Sequence, residues 1–171
     1  RRAGAAARRR APMTMNRRLR ALSPFGVLIA LGICNHLVLT GARVTVSLDA
    51  LALGANAATV GSLLALFALL PMLFAIPAGR FADRVGVRGP MLAGSIGMAC
   101  GAVIATVVPG LPALFVTAVL LGLSFMAFQV AAQYATGEMG PPAARTRNFG
   151  LLAVGYSTSS IAGPMIAGLT I

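Results

Sequence analysis

The amino-acid sequence predicts an all-α polytopic membrane protein with five transmembrane helices. Three observations carry that reading. The chain is 58% hydrophobic and only 10% charged, with a mean hydropathy of +0.88, whereas soluble domains carry roughly 25% charged residues. Its apolar stretches are long enough to cross ~30 Å of hydrocarbon at 1.5 Å per residue. Its cations are not scattered: of 14 Arg and no Lys, eight precede Ala21, three fall between Gly79 and Arg88, two are Arg145 and Arg147, and only Arg43 stands elsewhere. Arginines gathered at alternate ends of apolar runs follow the positive-inside pattern. That placement accounts for the net charge of +11 and argues against a nucleic-acid partner, which would need a basic patch on one face.

Residues 1–20 are an Arg/Ala tail too polar to pack, expected to be disordered, cytoplasmic and close to anionic lipid headgroups. The membrane domain is expected to occupy 21–171, with spans at about 25–47, 57–78, 90–108, 113–134 and 149–171. The first run also has the outline of a signal peptide, with small residues at Thr40-Gly41-Ala42. It exceeds a signal core of about 7–15 residues and further spans follow it, so it is read as a retained span. Leu48–Asn56 reads as an outer connection, and the second span contains Pro71 and Pro77, which bend membrane helices. Pro90 sits in the first turn of the third span, where Gly97-x-x-x-Gly101 permits close helix approach. Pro109-Gly110-Leu111-Pro112 is a tight outer turn, and Thr136–Asn148 reads as a cytoplasmic loop ahead of the fifth span. Phe25, Phe81, Tyr134 and Phe149 mark the inner boundary. Cys34 and Cys100 lie inside apolar runs without metal-ligand spacing and read as small hydrophobes in helix contacts. The fifth run reaches Ile171 without a polar flank, so the chain is expected to be the leading part of a longer protein.

The most informative stretch is Gly79-Arg80-Phe81-Ala82-Asp83-Arg84-Val85-Gly86-Val87-Arg88. It reads as a charged hinge in which Gly79 ends the second span, Gly86 turns the chain, and Asp83 is ionised among guanidinium groups. Its pattern, Gly-x-x-x-Asp-Arg-x-Gly-x-Arg, resembles the cytoplasmic signature between the second and third spans of the major facilitator superfamily of transporters. The resemblance implies that the chain is five helices of a six-helix N-terminal bundle that pairs with a second bundle. It also implies a gating role for Gly79, Asp83, Arg84, Gly86 and Arg88, latching the cytoplasmic side shut. Val87 stands where that family often has a second basic residue. In the fifth span Gly150, Ser159, Gly163, Pro164, Ala167 and Gly168 resemble the Gly/Pro pattern of the superfamily's antiporters, with Ser159 and Ala167 replacing two glycines. The fourth span lacks the Arg that many of those antiporters carry.

Candidate cavity residues are polar groups set in apolar helices. His36, Thr40, Arg43 and Ser47 recur at spacings of four, three and four and so share one helical face. A charge inside the bilayer is costly and usually faces a cavity or a partner. Arg43 is therefore read two ways: as a group on the central pathway, or as one that snorkels to headgroups or pairs with Asp49. Gln129 and Gln133 share a face of the fourth span with Gly122 and Phe125, and Tyr156 heads a polar run through Ser160 whose hydroxyls can simply bond back along the helix. No Gly-rich phosphate loop, acid pair or metal cluster is present, so neither an enzyme, a nucleotide-driven pump nor a cofactor is expected.

The resemblance implies secondary active transport, with proton-coupled efflux of a small organic compound as the leading reading. Its partners would be that substrate, protons, membrane lipids and the remaining spans of the same protein, in a bacterial inner membrane with the N-terminus cytoplasmic. Uptake of an organic anion with Arg43 as counter-ion is one alternative; a small non-transporting membrane scaffold is another.

Overall fold

The computed structural model describes residues 23–170; the Arg-rich tail and Ile171 lie outside the described residues. Five helices follow one another: α1 (Pro24–Ala52), α2 (Ala57–Val85), α3 (Arg88–Val107), α4 (Leu111–Glu138) and α5 (Arg145–Thr170), with a short 3₁₀ turn at Pro142–Ala144. All five helical segments are long and apolar enough to cross a membrane.

A helix lies over each of the five apolar stretches, and most overrun the apolar limits because a helix need not end where the hydrocarbon does. The outer connection after α1 shrinks to a turn. Leu48–Ala52 remain helical, Leu53 N–H donates to Asp49 O at 2.9 Å, and Gly54 takes φ +80° to reverse the chain. Asn56 then caps α2, accepting from Thr59 N–H at 2.9 Å. The segment from Gly79 is also helical, which corrects the expected break. Gly79 lies inside α2, which runs on to Val85, and the chain turns only at Gly86 (φ +79°). A glycine in a helix costs only about 1 kcal/mol relative to Ala, and Arg80 through Arg84 are all helix-tolerant. The connection expected at Thr136–Asn148 is likewise mostly helical: α4 continues to Glu138 and α5 begins at Arg145, with Gly140 (φ +88°) at the turn. Asn148 ties that corner by donating from Nδ2 to Met139 O at 2.7 Å.

α4 is the centre of the bundle and touches each of the other four. It is apolar over most of its circumference, as a helix packed on several sides must be, and Leu121 and Phe128 are fully buried. The outer surface is equally apolar: Ile76, Val107 and Leu169 are 70%, 69% and 84% exposed. Such residues meet lipid tails, so burial of apolar area supplies little force between helices, and close packing with interhelical hydrogen bonds must hold them.

Small residues provide the packing. A Cβ at Gly94 would lie 2.6 Å from Ser124 O, and one at Gly101 would lie 2.7 Å from Leu121 Cδ2, while Gly97 meets the Ser124 side chain. The glycine face of α3 is therefore pressed directly onto α4. On the other side of the bundle, a Cβ at Gly163 would fall 2.9 Å from both Leu37 O and Gly41 N, seating α5 against α1. Asn35 Nδ2 donates to Ser95 Oγ at 3.1 Å, joining α1 to α3. Cys34 and Cys100 are both exposed, so neither fills a helix contact as expected; the glycines had already taken the contact positions.

Candidate functional site: a cationic cavity on α1, α2 and α4

Pro71 and Pro77 sit inside α2 without ending it. A proline removes the bond to the carbonyl one turn back and bends the helix locally. Next to Pro71, α2 lies close to α4: a Cβ at Gly122 would lie 3.3 Å from Phe67 Cα and 3.3 Å from Pro71 Cγ. Around that contact the helices line an open cavity of about 430 Å³, within the ~300–1,000 Å³ usual for ligand sites. α1 lines it with His36, Leu39 and Arg43, α2 with Phe67, Ala68, Pro71 and Ala75, and α4 with Phe125, Met126, Gln129, Val130 and Gln133.

Its polar groups are held by an apolar frame. The Arg43 guanidinium carbon lies 5.7 Å from the centre of the Phe67 ring, in cation–π range. Its Nε is buried without a hydrogen-bond partner, and so is Nδ1 of His36. Neither Asp49 nor any other carboxylate among the described residues lines the cavity. The pairing with Asp49 that the sequence left open is absent. Arg43 faces the cavity.

His36 is set by two aromatic neighbours. Its ring centre lies 5.3 Å from that of Phe125 and 4.9 Å from that of Tyr156, and Phe125 and Tyr156 meet edge-on at 6.1 Å. Tyr156 crosses from α5 into a gap left by Gly32, whose Cβ would lie 3.2 Å from Tyr156 Cε1. It stands behind His36 and is not a lining residue of the cavity.

Thr40 does not join this group. Its hydroxyl lies 3.0 Å from His36 O and 3.1 Å from Ser159 O, turned toward α5. At about 100° per residue, Thr40 is displaced by about 40° to one side of His36 and Arg43 by about 20° to the other. The difference puts one residue in the cavity and the other in the α1–α5 seam.

The small-residue pattern of α5 divides in the same way. Ser159 is 1% exposed, its Oγ lying 2.9 Å from Gly155 O and 3.2 Å from Ile33 O of α1. Gly163 makes the close approach already described, and the interior Pro164 follows it. Gly150 and Gly168 have open space where a side chain would be, so among the described residues they pack against nothing. Gly155, which sequence reasoning passed over, meets Ile33, and a Cβ there would lie 3.0 Å from Ile33 Cγ1. The i−4 relation of Gly155 to Ser159 was the available signal. The hydroxyls of Thr158 and Ser160 bond back to Val154 O at 2.9 Å and Tyr156 O at 3.0 Å.

At the Arg-bearing end, Asp83 is exposed beside Arg80 and Arg84, and Arg88 opens the next helix. No ion pair within 4.0 Å forms among these described residues, contrary to the expected carboxylate–guanidinium cluster. Exposed charges gain little from pairing in water. Arg80 and Arg84 instead flank a groove with Pro77 and Phe81.

Comparison with known proteins agrees with this architecture. The family model described as Major Facilitator Superfamily matches residues 28–171. The chain is 32% identical over 109 residues to "Tetracycline resistance protein, class C" of Escherichia coli, covering 64% of this chain and 27% of that protein. It is 32% identical over 109 residues to the class G protein of Vibrio anguillarum, covering 64% and 28%, and 30% identical over 108 residues to the class E protein of Escherichia coli, covering 63% and 26%. The matched stretch thus spans little more than a quarter of these relatives. Five membrane-crossing helices, a polar cavity among them and a family match reaching from α1 through α5 lead to one assignment: the chain is an integral membrane protein of the Major Facilitator Superfamily of transporters.

Proposed function

We propose that this chain forms the substrate-facing part of a secondary active transporter that exports a small organic compound in exchange for protons. The observation that carries the reading is the cavity of about 430 Å³ in which Arg43, His36, Gln129 and Gln133 converge inside an apolar bundle. Ionisable and amide groups that face a cavity within a membrane bundle mark a substrate or ion path more often than a scaffold, which would fill that space with packing. Likeness to tetracycline resistance proteins supports the export direction.

In this reading the bent α2 and the central α4 hold the cargo near the middle of the bilayer, and rocking against the remaining spans of the same protein exposes it to each side in turn. Arg43 and the two amides orient the substrate, while Phe67, Phe125 and Met126 contribute apolar contact. His36 is the group in the cavity able to take up a proton. Asp83, Arg84 and Arg88, presented at the α2–α3 corner with Gly79 and Gly86, act as the latch against the facing bundle; their lack of mutual ion pairs leaves them available for partners there. The N-terminus lies in the cytoplasm, and the membrane is a bacterial inner membrane.

The test is transport by the complete protein reconstituted in liposomes, offered a panel of aromatic organic compounds with and without an imposed pH gradient. Accumulation that requires the gradient is expected. Equal fluxes with and without it would remove proton exchange, and no flux of any compound would remove the transport reading.

A further inference from the structure

Resting on the transport reading of the same cavity, we propose that the cargo is an organic anion, with its acidic group held by Arg43. The charge inventory leads there. The whole chain contains three acidic residues, Asp49, Asp83 and Glu138, and none lines the cavity. Arg43 does, with Nε buried and unbonded, so its guanidinium faces the cavity with no carboxylate among the described lining residues to neutralise it. A partly desolvated cation left unpaired is unfavourable, and an anion entering the cavity satisfies both its charge and its donors.

The Phe67 ring lies 5.7 Å from the guanidinium carbon, in cation–π range. Phe125 stands on the opposite helix, locked edge-on against Tyr156 and tilted against His36. An acidic group entering the cavity meets the Arg43 guanidinium beside this aromatic wall. The amides of Gln129 and Gln133 can serve its remaining polar groups. An organic cation of the same shape meets Arg43 at close range with no acid among the described lining residues to offset it, and is repelled.

The experiment is equilibrium binding to the complete protein in nanodiscs, without any gradient, using three probes of one shape: naphthoate, naphthamide and naphthamidinium. Naphthoate is expected to bind about tenfold or more tightly than the other two, since removing a desolvated charge pair costs at least that much. R43Q is expected to abolish the preference, with naphthamide affinity changed by less than about twofold. Gln129→Glu introduces a carboxylate into the same space, so naphthoate should weaken and naphthamidinium should gain; this variant decides the matter if R43Q does not fold. Naphthamidinium binding as tightly as naphthoate would overturn the proposal. So would R43Q weakening all three probes alike, which would make Arg43 a structural residue paired from outside this chain. Intact naphthoate binding without proton-driven flux would sustain this inference while removing the exchange reading.

Discussion

Thr40 and Arg43 lie three residues apart on α1, yet one seals a helix seam and the other opens onto a cavity. That division shows how little angular freedom a membrane helix has. In the seam, Gly163 is the position with no room to spare. Gly163→Val would drive a branched side chain into Leu37 O, Gly41 N and Thr40, and overpacking of this kind costs about 1–3 kcal/mol. Thermal unfolding in detergent, followed by far-UV circular dichroism because the chain has no Trp, should show a clear loss of stability for this variant. Gly168→Val, from the same motif but with nothing within 4 Å, should stay within about 0.5 kcal/mol of the parent. Equal losses for the two would mean that the seam is not where the motif acts.

Between elements, polar contacts are few and each can be examined separately. Asn35 and Ser95 form a hydrogen bond joining α1 to α3 at 3.1 Å. A double-mutant cycle with Asn35→Ala and Ser95→Ala should return a coupling of about 0.6 kcal/mol, the average for such bonds in membrane bundles; zero coupling would show that the two side chains bond elsewhere. Asn56 caps α2 through Thr59 N–H, and Asn56→Ala should cost about 1 kcal/mol in the same unfolding measurement. The helix ends themselves were only partly legible in the sequence. Hydropathy located the five apolar cores, but it changes sign at the membrane surface. Hydrogen bonding continues past that surface wherever residues tolerate helix, as at Arg80–Val85 and Leu48–Ala52. Glycines were legible where they faced a neighbour in a regular i, i+4 register, as in α3, and misleading at Gly79, where composition suggested a break that the backbone did not need.

At the scale of the whole molecule, the arginines of the α2–α3 and α4–α5 corners gather at one end of the bundle, and the turns at Gly54 and Gly110 form the other. In a variant with Cys34→Ser and Cys100→Ser, a cysteine replacing Arg84 should be labelled by an impermeant thiol reagent only from the cytoplasmic side, and one replacing Leu53 only from outside. Labelling with the opposite sidedness would reverse the proposed orientation and with it the latch. In the complete transporter, Asp83→Ala should lower turnover at least about tenfold while leaving the amount of protein in the membrane unchanged, because a gate contact acts on the transition between states and not on folding. Unchanged turnover would remove Asp83 from the gate.

The amino-acid sequence by itself determined the class of molecule, the number of helices, the end at which the cations lie and the glycine face of α3. Each of these follows from local quantities: apolar length against bilayer thickness, charge position along the chain, and spacing along one helix. Only the tertiary structure decided which polar side chains meet. Periodicity fixes the direction in which a residue leaves its own helix, but not which helix stands opposite. That is why His36 came to rest between Phe125 of α4 and Tyr156 of α5, and why Arg43 stacks on Phe67 of α2 and not beside Asp49 of its own helix.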